Sequence, residues 1–210
     1  MQPILLALDT ATEYCSVALL ANNQTFSVDE HCKNQHAAKL LGMIEDLLQQ
    51  AKIKLNDVDA IAFGCGPGSF TGVRIAISIA QGLAFGIQKP VIPIPTLQIM
   101  AQNAYQQYGA ARVQVALDAR MQQIYYGQYA LDTNALMQPV GEMALLFLDE
   151  VNKTDMMHYP DIKPLASSAL PLASALFQNN NVMSPELAQP IYLRNNVAHV
   201  IASGAKQTSK

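Results

Sequence analysis

Charge is scarce in this sequence. Only 14% of its 210 residues are charged, the 13 basic side chains never cluster, and the 16 acidic ones leave a net charge of −3. A chain that binds nucleic acid unaided needs a basic patch to displace counterions, so that class is disfavoured. Cysteine is sparse as well: Cys15, Cys32 and Cys65 are odd in number and far apart. That excludes a disulfide framework and points to a reducing compartment. No segment offers the ~20 apolar residues of a membrane span. The first eight residues lack a basic n-region and meet Asp9 too early for a secretion signal, so the expected location is the cytoplasm. What is abundant is hydrophobicity, at 50% of residues, enough for a sizeable core in one large or two small domains.

Residues 61–87, IAFGCGPGSFTGVRIAISIAQGLAFGI, organise the rest. Ile61-Ala62-Phe63 suits a buried strand. Gly64, Gly66 and Gly68 follow at alternate positions, permitting close approaches that a side chain would forbid. Ser69 or Thr71 can cap the apolar helix expected over residues 72–85. Two stripes of small residues run along it at four-residue spacing: Gly72, Ala76, Ala80, Ala84 on one, Ser78, Gly82, Gly86 on the other. Gly82 within a helix costs about 1 kcal/mol relative to Ala, which a closely packed neighbouring helix would offset. Arg74 near the helix start either points to solvent or has an acidic partner. The segment is neither phosphate-loop pattern, since G-x-x-x-x-G-K-S/T and G-x-G-x-x-G are both absent.

The run GCGPGSFTGVRIAISIAQGLA resembles the GPGSFTGLR-type signature of the bacterial TsaB (YeaZ) family. The family pattern D-A-R-x-x-x-I/V-Y runs from Asp118 to Tyr125, and Pro190 to Arg194 matches its terminal P-x-Y-L-R. The resemblance covers nearly the whole chain, is strongest at residues 4–20, 60–87, 113–129 and 190–194, and is weak between 131 and 185. It implies an α/β fold of two actin-like (ribonuclease H-like) lobes, mixed sheets flanked by helices, with residues 1–105 as the first lobe and 106–210 as a degenerate second. It implies a non-catalytic scaffold and activator subunit in the transfer of threonylcarbamoyl to adenosine 37 of tRNA. The implied partners are a TsaD-type catalytic subunit and a TsaE-type ATPase. Self-association as a homodimer is expected too, with tRNA met only through the complex.

In chain order, strands are expected at residues 4–8, 14–21 and 25–30, an antiparallel meander. A helix capped by Asn34 should run to about residue 51, with Leu40, Leu41, Ile44, Leu47 and Leu48 in helical period. Strands at 59–63 and 90–94 flank the glycine-rich helix, and a helix follows at 96–108. Residues 113–118 echo 4–9: Ala-Leu-Asp recurs 109 positions on, and each Asp is followed by a strand-like segment. Beyond lie a strand at 124–130, one within 136–146, a short helix at 147–151, a loop at 153–163 and a helix at 166–177 that Pro171 should kink or begin.

Two readings of Asp9-Thr10-Ala11-Thr12 stand side by side. It is a strand-ending turn in which Asp and Thr bond their own backbone, or a carboxylate–hydroxyl turn able to hold Mg²⁺ and phosphate oxygens. The resemblance places the first phosphate hairpin of the actin-like superfamily here, and the second at Asp118-Ala119-Arg120. Ala119 and Arg120 replace its usual glycines, and no Gly-Gly adenine turn occurs after residue 141. The expectation is that Asp9, Thr10, Thr12 and Asp118 are vestigial phosphate loops and that this chain alone holds no nucleotide stably, ATP or ADP being met at most where it joins its partner. No metal is expected: His31 and His36 form H-x-x-x-x-H rather than H-x-x-x-H or H-E-x-x-H, and read as ordinary polar histidines. No hydrolytic triad is legible, and Tyr125, Tyr126 and Tyr129 read as strand packing. The expected interface residues are Gly72, Arg74, Ala76, Ser78, Ala80 and Gly82, with His36 and Leu40 of the preceding helix. The alternative function is a small-molecule phosphotransferase using Asp9 and Asp118 around ATP·Mg²⁺.

Overall fold

The structure, a computed structural model, describes residues 2–32, 35–151, 157–158 and 162–194. The chain opens with a meander, β1 (Leu5–Asp9), β2 (Tyr14–Ala21) and β3 (Gln24–His31). Helix α1 (His36–Ala51) then leads to β4 (Ala60–Gly64), α2 (Phe70–Gly86) and β5 (Val91–Ile94). The first sheet has the order β3-β2-β1-β4-β5, with β4 and β5 parallel to β1. The expected cap of α1, Asn34, lies outside the described residues, and the residue before the helix is Gln35.

Alternate residues of these strands face two different cores. Leu6, Leu8, Val17, Leu19, Ile61 and Phe63 meet the buried stripe of α1 and the inner face of α2. Leu5, Ala7, Ala18, Ala60 and Ala62 face the other way, onto α4 (Ala166–Gln178). Buried on both faces, β1 and β4 are continuous apolar runs, as sequences of doubly covered strands must be. The second contact is alanine on alanine, with Ala166, Ala169 and Ala173 on the helix, so α4 sits close. The Ala166 amide donates to Ser16 Oγ at 2.6 Å, fixing the start of α4 to β2. Pro171 lies inside α4, which continues unbroken to Gln178.

Helix α3 (Thr96–Tyr108) leads into the second sheet. Its hairpin is β6 (Arg112–Arg120) and β7 (Gln123–Leu131). Strands β8 (Met137–Pro139) and β9 (Ala144–Phe147) pair with successive parts of β7, and β10 (Met157–His158) pairs parallel with β6. The single strand expected within 136–146 is two, because Gly141 at φ +100° turns the chain between them. Leu97, Met100, Ala101 and Ala104 of α3 pack on Val113, Val115, Tyr129 and Met137. The fold class is therefore mixed sheets flanked by helices. The expected division at residues 105 and 106 falls inside α3, and α4 returns to the first sheet, so helix packing crosses it.

Candidate functional site

The turn after β1 and the glycine segment after β4 are one structure. Thr10 Oγ1 donates to the Gly72 carbonyl at 2.7 Å, and the Ser69 amide donates to the Ala11 carbonyl at 2.8 Å. The glycines are required by that contact rather than by flexibility. A Cβ on Gly64 would lie 1.7 Å from Asp9 Oδ2, one on Gly68 2.6 Å from the Ala11 carbonyl oxygen, and one on Gly72 1.9 Å from the Thr10 carbonyl oxygen. Gly66 has φ +93° and precedes a cis proline. Ser69 caps α2, its Oγ accepting from the Gly72 amide at 3.3 Å.

Asp9 and Thr10 are 1% and 0% exposed. Asp9 Oδ1 accepts from the Ala11 amide at 2.8 Å, and Oδ2 lies 3.5 Å from the donating Thr96 hydroxyl. Burial pushes its carboxyl up to about 7, against those two hydrogen bonds, which favour the ion. Thr12 Oγ1 accepts from the Tyr14 amide. A phosphate or Mg²⁺ held here would need these oxygens turned outward. Instead they are spent on the chain itself, and the space above Asp9 is closed by Gly64. The oxygens of the Asp9 turn are thus engaged within the chain rather than aimed at a ligand. Asp118 differs: its side chain is 64% exposed and pairs with Arg120 at 3.3 Å. Neither described cavity, 590 Å³ beside Phe147 and Leu148 or 360 Å³ between Pro95, Gln98, Tyr129 and Leu193, is lined by Asp9 or Asp118.

The other candidates separate cleanly. His31 Nε2 lies 3.0 Å from Glu13, while His36 Nε2 lies 2.9 Å from the Thr12 carbonyl. They serve different partners, and among the described residues no cluster could hold a metal ion. Cys65 is buried, and burial pushes its thiol up to about 12, the direction opposite to that of an activated nucleophile.

Helix α2 has two faces. Gly72, Ala76, Ala80 and Ala84 are buried against the first sheet, as is Leu40 of α1, so the expectation that Gly72, Ala76, Ala80 and Leu40 face a partner is corrected. The reason is the contact of Gly72 with Thr10, which sets the rotation of the helix. Arg74, Ser78, Gly82 and Gly86 are exposed, and added Cβ atoms on Gly82 and Gly86 would meet nothing. Two large apolar side chains of α2 stand open as well, Phe70 at 60% and Phe85 at 74%. Arg74 has no carboxylate beside it among the described residues. Its guanidinium lies 3.5 Å above the Phe70 ring and 5.6 Å from that of Tyr192. Residues 185–192 run alongside: Gln81 donates to the Pro185 and Ala188 carbonyls, and the Ile191 amide donates to Cys65 O. Sequence reasoning missed Phe70, Thr96, Gln81 and Tyr192. Tyr192 carried a signal, its place in P-x-Y-L-R, but nothing there named its contact.

Among known proteins, residues 23–207 match the family model described as TsaD: tRNA N6-adenosine threonylcarbamoyltransferase. The tRNA threonylcarbamoyladenosine biosynthesis protein TsaB of Escherichia coli (strain K12) is 38% identical, over 92% of this chain and 96% of that protein. The chain belongs to the TsaB (YeaZ) family. The TsaB protein of Haemophilus influenzae is 52% identical over 59% of this chain and 52% of its own length. A solved structure described as YeaZ from Pseudomonas aeruginosa superposes with a TM-score of 0.87 at 41% identity, covering 91% of this chain and all of that one. Family membership thus rests on most of the chain. Among the described residues no helix is long and apolar enough to cross a membrane.

Proposed function

We propose that this chain is a non-catalytic scaffold and activator in the making of threonylcarbamoyladenosine on tRNA, working in the cytoplasm. Its catalytic partner is a TsaD-type subunit, a TsaE-type ATPase joins them, and tRNA is met only through the complex. The observation that carries the reading is the outward face of α2. Ser78, Gly82 and Gly86 leave room for a second helix, exposed Phe70 and Phe85 lie on the same helix, and among the described residues no side chain meets a Cβ added at Gly82 or Gly86. Self-association uses the same face when the partner is absent. The enclosed Asp9 turn supports a scaffold over a phosphotransferase, because its oxygens are bonded inward.

The test is a pair of leucines on the two faces. Ser78→Leu should abolish association with the TsaD-type subunit and tRNA modification while leaving the melting temperature near wild type. Ala80→Leu should overpack the core by about 1–3 kcal/mol. Full modification by the Ser78 variant would overturn the reading. The phosphotransferase alternative is separated by calorimetry: the isolated chain should bind ATP with Kd near ~1 mM or weaker, about −4 kcal/mol. Low-micromolar affinity would revive the alternative.

A further inference from the structure

Arg74 is the one cation of α2, and it stands on the face just described. A lone surface arginine is ordinary; this one is held. Phe70 and Tyr192, with ring centroids 6.0 Å apart and planes at 31°, lie on the guanidinium from one turn of α2 and from the segment after residue 185. Stacking uses the flat faces of a guanidinium and leaves its in-plane N–H donors open. Such a group matches a planar, two-oxygen acceptor, and fixing it beforehand removes ordering entropy from binding. Arg, Tyr and Phe are also residue types enriched at protein interfaces.

A phosphate chain is the poorer occupant. Nucleic acid is held by several cations together, whereas α2 offers Arg74 alone, and on α1, packed on the same sheet face, Lys39 is already paired with Glu30 while Glu45 and Asp46 are exposed. A single fixed cation beside exposed aromatic rings complements one carboxylate on an otherwise apolar protein surface. We infer that Arg74, presented by Phe70 and Tyr192, takes a side-chain carboxylate of the partner protein that covers the outward face of α2. This rests on the docking face assigned under Proposed function, and it makes the segment carrying Tyr192 part of that interface. Gln81, which ties the same segment to α2, holds Tyr192 in register.

The experiment measures binding of the full chain to the purified TsaD-type subunit by calorimetry at low and high salt, with wild type, Arg74→Lys, Arg74→Glu, Phe70→Ala and Ser78→Leu. Arg74→Glu should raise Kd at least tenfold and remove the salt dependence. Arg74→Lys should fall between, because it keeps charge but not the planar fork. Phe70→Ala should weaken binding several-fold, and melting temperatures should hold, since both side chains are exposed. If wild type and Ser78→Leu bind alike, the docking face itself fails. If Ser78→Leu abolishes binding and Arg74→Glu matches wild type in Kd and salt slope, the face stands and this inference fails. Loss of tRNA binding in Arg74→Glu with unchanged subunit binding would also overturn it, in favour of a phosphate contact.

Discussion

The two halves of the chain each begin with a hairpin whose first strand carries Ala-Leu-Asp, and the two aspartates have opposite fates. Asp9 is sealed under Gly64 and shares its turn with the glycine segment before α2. Asp118 sits at an irregular step in β6, open to water beside Arg120. Among the described residues no glycine segment covers the second turn. It is closed instead by consecutive left-handed residues, Arg120, Met121 and Gln122, and gripped by Arg194, which donates to the Ala119 carbonyl and to Gln123. A repeated motif therefore fixes a strand and a turn, while the chain that packs against the turn decides its chemistry. In the first half that neighbour is the start of α2, so the rigidity of the Asp9 turn orients that helix.

The largest effect should come from breaking the first turn. Gly72→Ala places a Cβ against the Thr10 carbonyl oxygen, a backbone atom that cannot swing aside, and disturbs the Thr10 hydrogen bond. A loss of about 3–5 kcal/mol is expected, at the upper end of overpacking effects. It is read by denaturant unfolding, and a change below about 1 kcal/mol would show that the turn and helix are not locked.

Next in size is a pH effect confined to Asp9. Its carboxyl is raised to about 7 in the fold from 3.8 when unfolded, so between those values the folded chain binds more protons. The contribution of Asp9 to stability is fully present below about pH 4, falls with rising pH, and levels above about 7, by up to about 1.4 kcal/mol per pH unit. Asp9→Asn, which keeps the shape of the neutral acid, should flatten that slope. Unfolding midpoints measured from pH 4 to 8 decide it, and a wild-type curve as flat as the variant's sinks the assignment.

Much of this comparison was legible in sequence. Ile4 to Asp9 and Val113 to Asp118 announced the paired strands, and the glycine spacing announced a close approach. The identity of what approached was not, because the contact of Gly72 with Thr10 joins segments far apart in sequence, and local pattern does not encode it. For the same reason both stripes of α2 looked alike: small residues at four-residue spacing fit a sheet as well as a partner, and only the rotation set at Gly72 separates Ala80 from Ser78. Helix α4 was visible as a helix, but its alanine face does not say to which sheet it returns. Arg74 was singled out, yet its stacking on Tyr192 joins the start of α2 to the end of the described chain.

The smallest expected effect belongs to the second turn. Asp118→Ala removes an ion pair whose partners are 64% and 80% exposed, and a hydrogen bond from the Arg120 amide to Asp118 Oδ1 at 2.8 Å. Exposed pairs contribute roughly 0–1 kcal/mol because water screens them and two long side chains must be ordered. The lost backbone bond is replaced by water, since the turn is open. Arg194 still holds Ala119 and Gln123, so the hairpin should stay closed. The expected loss is therefore below about 1 kcal/mol, with no change in the pH slope that Asp9 imposes. Thermal unfolding of the variant beside Gly72→Ala measures the contrast directly. A loss above about 2 kcal/mol would mean that Asp118 organises its turn as Asp9 does, and that the two halves differ in exposure but not in construction.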